Sequence, residues 1–214
     1  CKNEGLKVGT FTSPYVYRFN ERMAVNGEPI ADTELADIIE KIKPLAESME
    51  DKPTEFELIT AAGFLYFYEQ KCDIVILEAG MGGRLDSTNI IKTPLLSVIT
   101  SIALDHTSFL GDTEEKIAFE KAGIIKQGIP CLYGKMSDKC SEVIRNRAYE
   151  LDSELIVCNY DGLKEITLSL DGAQFSFEGF DTPFKLSLVG GYQPYNAALA
   201  ITAAQKLGFS KESI

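Results

Sequence analysis

Histidine occurs once in this chain, at position 106, and basic residues are outnumbered, 21 lysines and arginines against 32 aspartates and glutamates. One histidine is thin support for a metal hydrolase. The formal net charge of -11 leaves no basic face of the kind that nucleic-acid binding needs. It still permits a small polyanionic substrate, because a bound cation can supply local positive charge. No apolar run approaches a membrane-crossing helix, and no signal peptide opens the chain. The five cysteines (Cys1, Cys72, Cys131, Cys140, Cys158) form no C-x-x-C pair, and Cys72, Cys131 and Cys158, which abut strand-like runs, read as buried free thiols of a reducing cytosol. The signature G-x-x-x-x-G-K-[ST] is also missing: Gly134-Lys135 is followed by Met136 and lacks the upstream glycine. Internal repeats and low-complexity tracts are absent.

What is present is a soluble globular composition, 45% hydrophobic and 25% charged over 214 residues, enough for one good-sized domain with a core. Lys7–Phe11 reads as a strand ended by Thr12-Ser13-Pro14. Met23–Val25 and Pro29-Ile30 flank Asn26-Gly27 as a small hairpin. Asp32 or Thr33 is expected to cap a helix to about Ile42, and Thr54-Glu55-Phe56-Glu57 fits a capping box opening a helix to about Gln70. Strands are expected at Leu95–Ile99, Pro130–Tyr133 and Leu155–Cys158, with helices from Thr113 to about Ala122 and from Ser137 to about Leu151. This alternation implies an α/β fold with a doubly wound, mostly parallel sheet. Beyond it, Ile166–Leu170 and Ala173–Phe177 alternate in hydrophobicity around Asp171-Gly172, and Phe184–Leu188 follows, an antiparallel β-hairpin extension. An alanine-rich helix covers Asn196–Leu207. With no initial Met, and with Cys1–Leu6 reading as a last helical turn closed by Gly5, the chain is expected to be a piece of a longer protein.

The stretch DIVILEAGMGGRLDSTN, Asp73–Asn89, organises the rest. Asp73–Leu77 reads as a strand buried on both faces of a parallel sheet. Glu78 ends it, and Gly80, Gly82 and Gly83 follow at once, where open α/β sheets gather ligands. A ligand site and an ordinary strand end with a flexible turn are both open readings. Ser13, Glu78 and Asp105-His106 all follow strand-like runs, so a hydroxyl, a carboxylate and an imidazole could converge on a divalent ion. Against that stand Ser13 as a turn residue and His106 as a structural or surface histidine. Lys121 sits on a stripe with Ile117, Ala118, Ile124 and Ile125. A lysine there either snorkels to water or, as a neutral amine, takes up CO₂ as a carbamate.

The segments GTFTSPYVYRFNERMAVNGEPI, TEFELITAAGFLYF, DIVILEAGMGGRLDSTNII, SVITSIALDHTSFLGDTEEKIAFEKAGIIKQGIP and LVGGYQPYNAALAI occur in that order. Together they resemble the folylpolyglutamate synthase / dihydrofolate synthase family, within the wider Mur-ligase group, over nearly the whole chain. The resemblance implies an ATP-dependent amide ligase that adds L-glutamate to folate, and in some members to dihydropteroate, through an acyl phosphate with Mg²⁺ neutralising charge. It implies Ser13, Glu78 and His106 as metal ligands, and Lys121 as the family's carbamylated lysine, catalytic together with His106 and Glu78. It further implies Asn196 at the ATP, with Thr54, Glu55, Phe56, Glu57, Leu85, Asp86 and Ser87 near the pteroate or folate. A cytoplasmic monomer acting on small molecules, with neither nucleic acid nor membrane as partner, follows from the same likeness. The family's P-loop belongs just upstream of Cys1, and its C-terminal domain is missing too. Residues 1–214 therefore read as an incomplete Mur-ligase-type, ATP-binding central domain, expected to be inactive alone. The rival readings are a Mur-type ligase of peptidoglycan synthesis, a non-catalytic module binding a pterin or a partner, and a hydrolase built on a carbamylated lysine.

Overall fold

A computed structural model describes residues 1–105 and 107–214, so His106 lies outside the described residues. The chain divides into two compact units, Cys1–Ile91 and Lys92–Ile214.

In the first unit, β1 (Val8–Phe11), β2 (Met23–Val25), β3 (Glu28–Pro29) and β4 (Ile74–Leu77) form a sheet ordered β3-β2-β1-β4. The β2–β3 hairpin turns on Asn26 and Gly27, both at positive φ, as an Asn-Gly pair dictates. Helix α1 spans Asp32–Ser48 and α2 spans Glu55–Glu69. The expected capping box opens α2: Glu57 N donates to Thr54 Oγ1 at 3.3 Å and Thr54 N to a Glu57 carboxylate oxygen at 2.7 Å. α1 departs from expectation at both ends. Its N-cap is Ala31, whose N–H is taken by Glu34, because Asp32 turns outward to Arg18 and Asn20. It also continues through Pro44 to Ser48; the carbonyl that Pro44 cannot bond is that of exposed Glu40, open to solvent.

Both helices pack on one face of this sheet, around Phe11, Met23, Ile30, Ile38, Ile59 and Phe67. The approach of α2 to β1 is close. A Cβ on strand residue Gly9 would stand 2.7 Å from the Phe67 ring, and one on helix residue Gly63 would stand 2.8 Å from the Phe11 ring. β4 corrects an expectation: it is not buried on both faces. Val75 and Leu77 reach the core, while Ile76 on the other face is 53% exposed, because the helices of this unit cover one face only.

The second unit holds β5 (Ser97–Ile99), the short helix α3 (Thr107–Leu110), α4 (Glu114–Ala122), β6 (Cys131–Tyr133), α5 (Asp138–Glu150) and β7 (Leu155–Val157). Its three strands are parallel, in the order β5-β6-β7. β8 (Leu163–Ser169), β9 (Gly172–Phe177) and β10 (Phe184–Leu186) make a separate antiparallel sheet, followed by α6 (Gln193–Lys206). α6 begins three residues before Asn196, with Pro194 in its first turn, where a fixed φ suits a helix start. Two-faced burial appears here, at β6. Cys131 and Tyr133 join a core with Ile117, Ala118, Ile125 and Ile144, and Leu132 joins another with Phe175, Phe177, Ala198 and Leu199. All five cysteines are free, and burial pushes the Cys131 thiol up to about 12, as suits an inert packing group.

Candidate active site

β1 and β4 run parallel with Phe11 opposite Leu77, so Ser13 and Glu78 leave neighbouring carboxyl tips of one sheet. Glu78 N donates to Phe11 O at 2.9 Å, and Ser13 N donates to Glu78 Oε2, also at 2.9 Å. Ser13 Oγ is buried and finds no partner among the described residues. An orphaned hydroxyl beside a carboxylate is a pair of hard oxygen donors, the donor type that Mg²⁺ prefers. Among the described residues no group of three or more His, Cys, Asp and Glu side chains gathers for a metal. The pair therefore supplies only part of a coordination shell, which suits an ion that keeps several waters.

The glycine turn after Glu78 is closed from within by Asp86. Its Oδ2 accepts from Met81 N at 2.9 Å, and its Oδ1 accepts from Thr88 N at 3.0 Å and Thr88 Oγ1 at 2.6 Å. Both oxygens are thus engaged inside the turn, and Asp86 caps the short 3-10 turn Ser87–Ile90. Leu85 is left exposed, and Ser87 opens that 3-10 turn. Gly80 lies against Phe56: a Cβ there would be 2.4 Å from the ring's Cζ. The ring of Phe56 also meets Phe11 edge-on at 6.2 Å. Of the TEFE stretch, then, Phe56 touches the glycine turn and Glu55 is exposed. Thr54 and Glu57 are committed to each other, and the Thr54 N–H and hydroxyl hold the Glu57 carboxyl below its ordinary value.

The loop from β1 to β2 carries features that composition did not reveal. Glu21 accepts from three consecutive backbone N–H groups, those of Val16, Tyr17 and Arg18, at 3.0, 3.2 and 2.9 Å. These bonds lower its carboxyl from the ordinary value, the Val16 N–H contributing most. Arg22 lies beneath the rings of Tyr15 and Phe19. The aromatic and basic character of YVYRFNER was visible in the sequence; the three-amide grip on Glu21 leaves no residue-type signal.

In the second unit, Lys121 occupies the last turn of α4, half-buried near fully buried Ile117, Ala118 and Ile125. Its side chain has no hydrogen-bond or ion-pair partner among the described residues. The helix ends at Ala122 with Gly123 as C-cap, so Ile124 and Ile125 follow in a turn rather than on the helix. Asn196 stands exposed in the first turn of α6, its amide 3.5 Å from Gln193 Oε1. One residue earlier, Tyr195 meets Tyr160 edge-on at 5.3 Å. Tyr160 also explains Gly134: a Cβ at that glycine would be 2.1 Å from Thr100 O and 2.6 Å from the Tyr160 hydroxyl. Burial pushes that hydroxyl up to about 12. Thus Gly134, which as sequence merely fails the P-loop pattern, is a packing glycine where the tips of β5 and β6 meet.

Oxygen donors and glycine turns at the carboxyl tips of parallel strands are how open α/β domains hold ligands. The profile of the Mur ligase middle domain matches residues 28–204, and the chain belongs to that family. It is 45% identical to the dihydrofolate synthase/folylpolyglutamate synthase of Bacillus subtilis, over 98% of its own length and 50% of the relative's. To the folylpolyglutamate synthase of Lacticaseibacillus casei it is 38% identical, over 94% and 49%. The solved Thermotoga maritima folylpolyglutamate synthase superposes with a TM-score of 0.87 at 32% identity, over 99% of this chain and 50% of that one. An FPGS–AMPPCP–folate complex superposes with a TM-score of 0.88 at 36% identity, over 98% and 54%. The chain spans about half the length of the relatives it matches.

Proposed function

We propose that residues 1–214 are the central, nucleotide-handling part of an ATP-dependent amide ligase that adds L-glutamate to folate, with dihydropteroate as a second acceptor. The observation that carries this reading is the strand-tip pair: Ser13 N bound to Glu78 and the buried Ser13 hydroxyl left over. It occurs in a chain 45% identical to a relative named for both activities, and like a solved complex holding AMPPCP and folate.

In this reading Ser13 Oγ and Glu78 hold Mg²⁺, with His106 completing the family's ligand set. Bound Mg²⁺ supplies neutralisation of the charge that develops on a transferring phosphoryl group. The protein's own contribution is positioning. Glu78 fixes the Ser13 backbone, and Asp86 keeps the glycine turn closed so that backbone can approach a ligand. Asn196 meets the nucleotide from the first turn of α6, and exposed Leu85, with Ser87 and the Thr54–Glu57 stretch, meets the pteroate. Lys121 reacts with CO₂: the ammonium gives one proton to solvent, the free amine nitrogen bonds the carbon as one C=O π bond opens onto oxygen, a second proton leaves to solvent, and a cation becomes a carbamate anion. The enzyme works as a cytoplasmic monomer on these small molecules.

The test is ADP release by the full ligase carrying this chain. Turnover is expected with folate or dihydropteroate plus L-glutamate, and none with the 214-residue chain alone. Turnover of a UDP-muramyl substrate in their place overturns the reading.

A further inference from the structure

Two neighbouring charges on the β1–β2 loop fail to meet. Glu21 spends its carboxylate on the amides of Val16, Tyr17 and Arg18. Arg18 pairs with Asp32 at 3.2 Å. Arg22 is left over. Its side chain makes no hydrogen bond or ion pair among the described residues, and its Nε is buried without a partner. The guanidinium carbon lies 5.2 Å from the Tyr15 ring centroid and 5.7 Å from that of Phe19, and the two rings pack edge-on at 6.0 Å.

A guanidinium does not shed its proton, so this charge persists. The ring faces attract it and keep water away, which strengthens its pull on an anion, but rings offer no acceptor for its N–H groups. A buried N–H without an acceptor costs the full desolvation of that group unless a ligand supplies one. The position is telling. Among the described residues the buried side-chain polar atoms without partners are Arg22 Nε and Ser13 Oγ. Thr12 N donates to Arg22 O at 3.0 Å, and Ser13 is the next residue, so both orphans belong to one strand end.

We propose that Arg22 is an oxyanion-binding residue of the ligase site: its Nε–H and a terminal N–H form a fork for a substrate carboxylate or phosphoryl group, braced by Tyr15 and Phe19. The grip of the loop amides on Glu21 serves this role by keeping the neighbouring carboxylate off the fork. The inference rests on the ligase reading above. Carboxylate and phosphate share the recognition chemistry, and kinetics separates their sources.

In the full ligase, Arg22→Lys keeps the charge and loses the planar fork. The expected result is a rise of about tenfold or more in KM for one substrate, with Tm unchanged, and a larger rise with Arg22→Gln. A rise confined to folate or to glutamate identifies a carboxylate; one confined to ATP identifies a phosphate. Unchanged KM values for all three overturn the proposal. A wild-type ligase without turnover sinks the functional reading instead. The proposal is then judged by titrating ¹⁵N-arginine-labelled full protein with pyrophosphate and with glutarate. The Arg22 Nε–H resonance is expected to move with at least one of them, and no movement with either overturns the proposal.

Discussion

The backbone N–H of Ser13 donates to Glu78 at 2.9 Å while the buried Ser13 hydroxyl bonds to nothing described. The carboxylate secures the residue, and the hydroxyl is held back from any structural use. Ser13→Ala removes a desolvated, unpaired donor. It is therefore expected to raise stability by about 1 kcal/mol while lowering Mg²⁺-dependent turnover ~10- to 100-fold. Urea midpoints and Mg²⁺ titrations of activity read the two effects separately. A variant that loses stability shows that the hydroxyl has a structural partner, which removes the argument for a ligand.

Gly80 and Phe56 are coupled by contact. A methyl at Gly80 would lie 2.4 Å from the Phe56 ring, so Gly80→Ala must push the ring or the turn aside. The expected cost is about 1–3 kcal/mol, the range for overpacking. In a Phe56→Ala background those ring contacts are gone, and the cost should largely vanish. A double-mutant cycle by denaturant unfolding measures this, and additive costs show that the ring does not confine the turn.

The sequence was legible where local chemistry decides the outcome. Asn26-Gly27 demands positive φ and made a hairpin; Thr54 and Glu57 cap each other and opened α2. It was illegible where a neighbouring element decides. Asp73–Leu77 and Cys131–Tyr133 read alike as apolar runs, yet only the second is covered on both faces, because packing partners and not composition set burial. Ser13 was a plain turn serine until the resemblance raised it, since nothing in Ser-Pro reveals an unpaired hydroxyl. The resemblance sets Asp86 in a segment near the pteroate or folate, and the fold adds that both its oxygens turn into the loop. Glu21 and Arg22 were the hardest, because the partners of one are backbone amides and the distinction of the other is a side chain with no hydrogen-bond or ion-pair partner among the described residues.

Those amides make the Glu21 loop acid-sensitive in a defined direction. Its folded carboxyl titrates below the ordinary value of 4.5, held there chiefly by the N–H groups of Val16 and Tyr17. A depressed folded value contributes stability above the unfolded value, and that contribution is lost as pH falls through the folded one. The loop is thus expected to hold through pH 4.5 and to release below it. Glu57, Asp112 and Glu115 are lowered as well, so global unfolding in acid mixes their contributions. The amide shifts of Val16, Tyr17 and Arg18 isolate Glu21. They should move together below pH 4.5 in the wild type and lose that transition in Glu21→Gln. Amides that titrate at an ordinary glutamate value sink the account.

Lys121 offers the sharpest chemical test. Its half-buried side chain stands in the last turn of α4, the helix that carries fully buried Ile117 and Ala118, and no described acid or carbonyl receives its amine. Carbamate formation releases protons, so raising pH and bicarbonate together should drive it. Protein equilibrated with ¹³C-bicarbonate is expected to show one carbamate carbon resonance that Lys121→Met abolishes. The same variant should lose about a hundredfold or more in turnover, because the anion that the carbamate places at the site is gone. A snorkelling lysine predicts the opposite pattern: no carbamate signal at any bicarbonate concentration, and a methionine variant that folds and turns over like the wild type.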